Sequence, residues 1–320
     1  MDLINYQPKK EFSQKHLLRL SDYTPDEILQ ALSLGLKLKK QLKEGLCTPV
    51  LAGKVLAMIF TKSSTRTRVS FETGIYQLGG MGMFLSSNDI QLGRGEPISD
   101  TAQVLSRMVD GIMIRTFAQS DVEDLAKYGS IPVINGLTDL LHPCQILADL
   151  MTYYEHKGSF SGKMAFIGDG NNVANSLLVG CAKLGLSISV GCPKGFEPDA
   201  EVLAAAKEAA AQSGAQIVIT NDPKEAAENA DAVYTDVWAS MGQEKNAQQK
   251  YKSFEGFQVN AGLTSLCKPD YIFLHCLPAH RGEEVTAEVI DGPNSVVFDE
   301  AENRLHAQKA VMVLLMQDKK

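Results

Sequence analysis

The chain reads VLAMIF over residues 55–60, TKSSTRTR over 61–68 and VSFETGIYQL over 69–78. The first run is apolar and the third has helical spacing, so a strand ends where a helix begins. Backbone N–H groups and the positive end of the helix dipole favour an anion at such a junction. Arg66 and Arg68 add guanidinium donors, and a guanidinium matches two phosphate oxygens at once. The alternative is an ordinary Ser/Thr helix cap with solvated arginines.

Short β-rich runs alternate with helical patterns along the chain, which predicts parallel sheets covered by helices. The helical patterns are Val69–Leu78, Asp100–Met108, Gln145–Tyr154, Val173–Leu184, Pro198–Gln212 and Asp299–Lys320. The predicted strands are Val55–Phe60, Gly82–Phe84, Gly111–Arg115, Pro132–Asn135, Met164–Ile167, Ser187–Val190, Gln216–Thr220, Ala232–Asp236, Ile272–Leu274 and Val296–Phe298. The strands before His142 and those after Gly162 predict two separate sheets.

A chain of 320 residues is long for one hydrophobic core, which favours two domains. We therefore expect an α/β fold of two domains, each a parallel β-sheet flanked by helices, joined by interdomain helices. The predicted boundaries are 1–142 for the first domain and 143–303 for the second. The C-terminal helix, 304–320, is expected to pack back on the first domain, and the helix 145–156 to bridge the two.

Composition narrows the possible partners and the compartment. The formal charge is 31 − 38 = −7, which argues against nucleic acid as a general partner. No secretory signal is visible in Met1–Phe12, and no apolar run is long enough to span a bilayer. The six cysteines are scattered without a CxxC pair, which fits a reducing cytoplasm. His275 and Cys276 are adjacent, which is poor spacing for a zinc site, so no metal is expected.

Polar side chains cluster just after the predicted strands, where open parallel sheets bind their ligands. The first half of the chain supplies hydroxyls, cations and an amide there: Ser64, Thr65, Arg66, Thr67, Arg115, His142 and Gln145. The second half supplies an amide, a carboxylate and a thiol: Asn172, Asp236 and Cys276. A phosphate-bearing ligand suits the first set and an amino-bearing ligand the second. Two ligands meeting in a cleft between domains is the arrangement of a bisubstrate transferase.

Each of these residues has a plain structural alternative. Arg115 could be a surface arginine, and His142 a capping or core histidine. Cys276 could be a buried apolar thiol, which is the commonest state of a free cysteine. Their coincidence at predicted strand ends favours a functional reading.

The segment Gly168-Asp169-Gly170 suggests a dinucleotide site, but two parts of that fingerprint are missing. Val173 replaces the third glycine, and the next strand ends at 190–193 without an acidic residue for a ribose hydroxyl. A nucleotide-dependent oxidoreductase is therefore disfavoured, and we expect no cofactor.

Five motifs, in this order along the chain, resemble those of the aspartate/ornithine carbamoyltransferase superfamily. They are Ser64-Thr65-Arg66-Thr67, Arg115, His142-Pro143-Cys144-Gln145, Asp236 with Ser240-Met241-Gly242, and His275-Cys276-Leu277-Pro278. The last two together resemble the ornithine branch. The resemblance implies transfer of the carbamoyl group of carbamoyl phosphate to the δ-amine of L-ornithine, for arginine biosynthesis. It also implies a homotrimer with active sites at subunit interfaces. Eukaryotic relatives carry a transit segment that is not seen here, which favours a bacterial-type cytoplasmic enzyme.

The same resemblance assigns roles to individual positions. Carbamoyl phosphate would be bound by Ser64, Thr65, Arg66, Thr67, Gln91, Arg115, His142, Pro143, Cys144, Gln145, Cys276, Leu277 and Arg304, with Gln91 reaching in from a neighbouring subunit. Ornithine would be bound by Asn172, Asp236, Ser240 and Met241. The implied catalytic residues are Arg66, Arg115, His142, Asp236 and Cys276.

The chemistry fits these roles. Attack of an amine on the carbamoyl carbon creates an oxyanion and expels phosphate, so donors aimed at both groups should dominate catalysis. An alkylammonium has a pKa near 10.4, so only about one molecule in 10³ is reactive at pH 7. We therefore expect ornithine to react with its δ-amine neutral, with Asp236 and Cys276 managing the proton or anchoring the amines.

Two other functions remain open from the sequence. One is a putrescine carbamoyltransferase, because putrescine has both amines of ornithine and lacks only its α-carboxylate. The relatives with that activity lack the loop Ser240-Met241-Gly242. A non-catalytic binding paralogue would keep the fold without the chemistry, but no motif position is substituted.

Overall fold

The computed structural model describes residues 2–238 and 247–318, with the backbone alone for 247–249. The chain divides into two compact units. Unit 1 is Met1–Met151 with Glu302–Lys320, and unit 2 is Thr152–Ala301. The predicted domain boundaries, 1–142 and 143–303, stay a prediction.

Each unit contains one parallel sheet. Unit 1 has four strands in the order β2-β1-β3-β4, and unit 2 has five in the order β7-β6-β5-β8-β9. The strands are β1 Val55–Phe60, β2 Met81–Ser86, β3 Gly111–Arg115, β4 Val133–Leu137, β5 Lys163–Ile167, β6 Ser187–Gly191, β7 Ile217–Thr220, β8 Ala232–Thr235 and β9 Ile272–Leu274. This confirms the α/β class with two parallel sheets.

Helices connect these strands and cover the sheets. They are α1 Pro25–Lys43, α2 Thr65–Gln77, α3 Ile98–Leu105, α4 Gln119–Tyr128, α5 Pro143–Lys157, α6 Asn172–Leu184, α7 Ala200–Ser213, α8 Pro223–Ala227, α9 Ala247–Ser253, α10 Ala261–Thr264, α11 Ala287–Ile290 and α12 Val297–Met316. Helices α5 and α12 each have residues in both units. None of the helices in the described ranges combines the length and apolarity that a membrane crossing requires.

One predicted strand is wrong. Residues 297–298 belong to the start of α12, Val296 directly precedes that helix, and Ser295 makes an isolated bridge to Phe273. The β-branched residues Val296 and Val297 are buried, so their pattern looks like a strand. Asp299 and Glu300 in the first turn instead favour a helix start, because carboxylates there complement the helix dipole.

Helix α1 is absent from the predicted elements, although its start signal is strong. Thr24 caps the helix by accepting from the Glu27 backbone N–H, and Glu27 accepts from the Thr24 backbone N–H in return. Pro25 occupies the first helical position, where its missing N–H costs nothing.

The cores explain why the strands read as continuous apolar runs. Every residue of β3 is buried, because helices cover both faces of a parallel sheet. In unit 1 a core cluster joins β1, β3 and β4 to α3 and α4, with Ile59, Ile112 and Leu125 among its members. In unit 2 the corresponding cluster contains Trp238, Phe254 and Phe273.

The strand order shows where a ligand-binding crevice is expected at the edge of each sheet. The chain moves outwards from β1 to β2 on one side and from β3 to β4 on the other, so the order reverses between β1 and β3. In unit 2 the reversal falls between β5 and β8. Ligands of open α/β sheets bind at the carboxyl ends of strands at this switch point. The segments after β1, β3, β5 and β8 are therefore the expected positions of site residues.

Candidate functional site

The segment after β1 begins α2 as an N-cap. The Ser64 hydroxyl accepts from the Thr67 backbone N–H at 3.2 Å, with Ser64 in an extended conformation. Arg68 is exposed; its Nε donates to Glu72 at 3.2 Å and its guanidinium lies 3.8 Å from the Phe84 ring centroid. Arg68 is therefore engaged with neighbours on its own surface.

Two buried arginines converge on the hydroxyl of Thr67. Arg115, at the end of β3, donates from Nη1 at 3.4 Å, and Arg304, on α12, donates from Nη2 at 3.3 Å. Both arginines are buried, with exposed fractions of 8% and 3%. One neutral oxygen thus lies between two cations at the switch point of unit 1.

A second neutral group contacts Arg304. The Gln145 amide oxygen accepts from Arg304 Nη1 at 2.6 Å, and its Nε2 donates to Asp149 at 2.8 Å. Gln145 and Asp149 are four residues apart on α5, so both lie on one face of that helix. The chain of hydrogen bonds from Asp149 to Arg304 fixes the amide orientation of Gln145.

His142 lies immediately before α5 and is buried. Burial lowers the pKa of its imidazole well below the usual range, and the nearby cations Arg304, Arg115 and Arg66 lower it further. The imidazole is therefore neutral at pH 7. A neutral imidazole can donate one hydrogen bond without adding charge to a pocket that already holds three guanidinium groups.

The other predicted site residues of unit 1 differ from one another in how deeply they are buried. Cys144 is buried, its thiol donates to the Asn135 carbonyl at 3.3 Å, and burial raises the pKa of the thiol to about 12. Pro143 is the first residue of α5. Thr65 is exposed at the start of α2, and Gln91 is exposed in the 3₁₀ helix Gln91–Arg94.

At the carboxyl edge of the unit 2 sheet, the candidate site residues surround Asp236, which directly follows β8. One carboxylate oxygen, Oδ2, accepts from Asn171 Nδ2 at 2.7 Å. The other, Oδ1, accepts from the Val237 backbone N–H at 2.8 Å and from the Cys276 thiol at 3.1 Å. Asp236 is 7% exposed, so these donors replace most of its solvation. Asp236 and Cys276, which follow the neighbouring strands β8 and β9, therefore lie in direct contact.

The turn after β9 holds Cys276 in place. Leu277 adopts a left-handed backbone with φ of +56°, and its N–H donates to His275 Nδ1 at 2.8 Å. The other ring nitrogen of His275 lies 3.1 Å from Glu284 Oε1. His275 and Glu284 are both fully buried.

This turn also brings together three side chains whose sequence spacing disfavoured a metal site. Ligand atoms of Asp236, His275 and Cys276 lie within 4.8 Å of one another, although two of these residues are adjacent in sequence. However, both ring nitrogens of His275 already have partners, and the Cys276 thiol donates to Asp236. A metal would have to displace all three hydrogen bonds.

Asp169, in the glycine-containing segment after β5, is paired with a cation. Its carboxylate accepts from Lys250 Nζ at 2.5 Å, and both side chains are largely buried. Burial raises the pKa of the Asp169 carboxyl, and Lys250 opposes that shift. Lys250 also lies over the Phe196 and Phe254 rings. The pair links the loop after β5 to α9.

Two predicted ornithine-binding residues, Ser240 and Met241, lie outside the described residues. Asn172 is the first residue of α6, and the preceding Asn171 both caps that helix and contacts Asp236. Asn171 is therefore a candidate site residue that sequence reasoning missed. Its signal was available, because an asparagine directly before an apolar helix is a preferred N-cap.

Known proteins match the whole chain. Residues 15–155 match the carbamoyl-P binding domain of the aspartate/ornithine carbamoyltransferase family, and residues 161–315 match its Asp/Orn binding domain. The ornithine carbamoyltransferase of Oceanobacillus iheyensis is 61% identical over 316 residues, covering 98% of each chain. That of Carboxydothermus hydrogenoformans is 59% identical over 303 residues, covering 94% of this chain and 97% of the other.

Solved structures agree. The ornithine carbamoyltransferase of Pyrococcus furiosus has a TM-score of 0.94 and 54% identity, covering 97% of this chain and 100% of the other. The enzyme of Gloeobacter violaceus has a TM-score of 0.86 and 50% identity, covering 96% and 100%. The chain belongs to the aspartate/ornithine carbamoyltransferase family.

Proposed function

We propose that the chain is an ornithine carbamoyltransferase, forming L-citrulline and phosphate from carbamoyl phosphate and L-ornithine, in arginine metabolism. The relatives at about 60% identity over nearly the full length carry this name. The observation that carries the choice of acceptor is the contact of the Asp236 carboxylate with the Cys276 thiol. A carboxylate and a thiol suit an amine acceptor, whereas aspartate would need cations for its carboxylates.

The phosphate of carbamoyl phosphate is assigned to the start of α2. Ser64, Thr65, Arg66 and Thr67 bind it, supported by the N-cap geometry and by the positive end of the helix. Arg115 bridges the phosphate and the carbamoyl oxygen. Its guanidinium already contacts Thr67, which places it beside the same helix start.

The carbamoyl group is assigned to His142, Gln145 and the first turn of α5. Neutral His142 donates to the carbamoyl oxygen, on which negative charge develops as the amine attacks. Arg304 holds the amide of Gln145 by its oxygen. Pro143 and Cys144 contribute through the backbone, because the Cys144 thiol is directed at Asn135. Gln91, Cys276 and Leu277 complete this set.

Ornithine is assigned to Asn172, Asp236, Ser240 and Met241. Asp236 attracts the δ-ammonium, and the proton must leave before the nitrogen can attack. The hydrogen bond between Cys276 and Asp236 offers a route for that proton, from the amine towards the thiol–carboxylate pair. Donors at Arg66, Arg115 and His142 stabilise the oxyanion and the leaving phosphate.

We further propose a homotrimer in the cytoplasm. Support comes from the edge of the unit 1 sheet, where β2 exposes three large apolar side chains: Met81, Met83 and Phe84. Tyr76, on the adjoining α2, is 78% exposed. An apolar sheet edge of this kind favours burial against another copy of the chain. Exposed Gln91, a few residues beyond β2, would then face the neighbouring copy.

The decisive test is product formation with three acceptors in parallel. We expect citrulline from ornithine, with kcat/KM at least about 10²-fold higher than for putrescine or aspartate, since a site loses that much when buried polar groups go unmatched. Preferred carbamoylation of putrescine would instead identify the diamine enzyme. Carbamoyl phosphate binding without any product would identify a non-catalytic paralogue.

A further inference from the structure

The imidazole of His275 lies outside the proposed chemistry, yet its hydrogen bonds define which ring nitrogen carries the proton. Its Nδ1 accepts from the Leu277 N–H, so the ring proton is on Nε2. Nε2 then donates to Glu284 Oε1 at 3.1 Å. A carboxylate can only accept, so Glu284 selects this tautomer, and the tautomer leaves Nδ1 available for Leu277.

Glu284 is tied to the same turn by a second hydrogen bond. Its Oε1 also accepts from the His280 backbone N–H at 2.6 Å. A fully buried carboxylate is costly, and two donors on one oxygen offset part of that cost. The two bonds connect the segment that follows Leu277 to the imidazole that precedes it.

The hydrogen bond from Leu277 to His275 encloses Cys276. A left-handed backbone at a leucine costs on the order of 1 kcal/mol, so it persists only where its surroundings fix it. The bond joins residues on either side of Cys276 and so sets the direction of its side chain. The thiol is thereby directed at Asp236 Oδ1, 3.1 Å away.

A separate anchor keeps the strand end in place. Glu300 Oε2 accepts from the His275 backbone N–H at 2.9 Å, and its Oε1 accepts from the Tyr234 hydroxyl at 3.0 Å. The first of these bonds uses the backbone of His275, and neither involves its imidazole. Replacing the imidazole should therefore disturb the turn while β9 and its pairing remain.

We propose that Glu284 and His275 are positioning residues, which set the direction of the Cys276 thiol through the backbone of Leu277. This inference rests on the proposed function, in which Cys276 and Asp236 handle the acceptor amine. Glu284 lies nine residues beyond the ring that it fixes. Its effect reaches the chemistry only through His275, Leu277 and Cys276.

Two substitutions test the hydrogen bonds of the two ring nitrogens of His275 separately. The amide of His275→Asn reaches the place of Nδ1 and can still accept from the Leu277 N–H. The amide of His275→Gln reaches the place of Nε2 and contacts Glu284 instead. We expect His275→Gln to lower kcat/KM for ornithine by about 10²-fold, the cost of misplacing a group by about 1 Å. His275→Asn should lower it by about 10-fold, and the Kd of inorganic phosphate should stay within about 3-fold of wild type in both.

A matched pair at Glu284 tests the carboxylate. Glu284→Gln keeps an oxygen that accepts from both donors, whereas Glu284→Ala removes it. We expect Glu284→Gln to retain activity within about 3-fold and Glu284→Ala to lose about 10-fold or more, as expected for a lost hydrogen bond that leaves buried donors unpaired. Equal activity of the two variants would overturn the proposal.

A chemical readout makes the test independent of turnover. The rate of Cys276 alkylation by iodoacetamide, followed by peptide mass spectrometry, reports the environment of the thiol. Exposed Cys47 in the same sample is the internal reference. We expect Cys276 alkylation to change several-fold in His275→Gln and Glu284→Ala, and little in His275→Asn and Glu284→Gln, with Cys47 constant.

Alkylation rates of Cys276 that are unchanged, or that follow the opposite order, would contradict the positioning role. Failure of the proposed function gives a different result: the wild-type protein would form no citrulline, while the order of alkylation rates could still be measured. A circular dichroism melt identifies variants that do not fold, and the two conservative variants then decide the outcome.

Discussion

The two sheets carry opposite chemistry at their switch points. In unit 1, Arg115 and Arg304 meet at neutral partners, the Thr67 hydroxyl and the Gln145 amide. In unit 2, the Asp236 carboxylate receives donors from Asn171, Val237 and Cys276. The first edge gathers cations around neutral oxygens, whereas the second surrounds its charge with hydrogen bonds.

The two edges are therefore stabilised in different ways. Cations held close together repel one another, and an incoming anion relieves that repulsion. Unit 1 should therefore gain stability from its ligand. Asp236 is already solvated by fixed donors, so unit 2 should be ordered before its ligand arrives. Four experiments test this contrast.

The largest effect is expected at the cationic edge. Arg115→Met should lower kcat by about 10²–10³-fold, or about 2.7–4 kcal/mol, because it removes a proposed donor to the developing oxyanion. Steady-state kinetics with both substrates varied is the measurement. Exposed Arg107→Met is the control for losing one positive charge, and it should stay near wild type. Similar losses in both variants would mean that charge alone matters.

The second effect is stabilisation by inorganic phosphate. At a phosphate concentration of 100 Kd, the free energy of unfolding should rise by about 2.7 kcal/mol. Urea unfolding at constant ionic strength measures it, with chloride as the reference anion. Arg115→Met should show a much smaller rise at the same concentration. No rise in the wild-type protein would refute the idea that an anion relieves the repulsion.

A third effect is expected at Asp236, in unit 2. Asp236→Asn should lower kcat/KM for ornithine by about 10–10²-fold, which corresponds to losing a hydrogen bond to a charged group. Stabilisation by phosphate should persist in this variant, because the proposed anion site belongs to unit 1. Asp199→Asn makes the same chemical change at the cap of α7, where asparagine caps equally well. Loss of phosphate stabilisation in Asp236→Asn would break the contrast.

The smallest effect concerns His142 and pH. Its folded pKa lies well below the ordinary value of 6.5, so between those two values the unfolded chain binds the proton and the folded chain does not. Stability from the neutral imidazole is therefore complete above pH 6.5 and is lost as pH falls below it, by up to about 1.4 kcal/mol per pH unit. The difference in unfolding free energy between wild type and His142→Asn should change by that slope. Parallel pH curves would show that His142 titrates normally.

Prediction from sequence worked where one local pattern determines the structure. The strands β1, β3 and β9 have their predicted bounds, because runs buried on both faces are continuously apolar. The strand end at Arg115 follows from the same pattern, whereas α2 begins at Thr65, four residues before the predicted start at Val69. Buried β-branched residues at 296–297 misled the prediction, because apolar character does not distinguish a buried helix from a strand.

Contacts between distant segments could not be read from the sequence. Glu284 reaches His275 only because the chain turns back after Leu277. Arg304 meets Thr67 and Gln145 although it is far from both along the chain. Such contacts depend on where a turn or helix places a side chain, and no periodicity encodes that.

Unit 1 is discontinuous in sequence, so its two segments are synthesised at different times. Arg304 belongs to unit 1, yet the whole of unit 2 is translated before it. On a ribosome the segment up to Met151 therefore emerges without the arginine that orients Gln145. The hydrogen bonds from Arg304 to Thr67 and Gln145 cannot form until α12 leaves the exit tunnel, so a nascent chain contains all the strands of its second sheet before this network in unit 1 is complete.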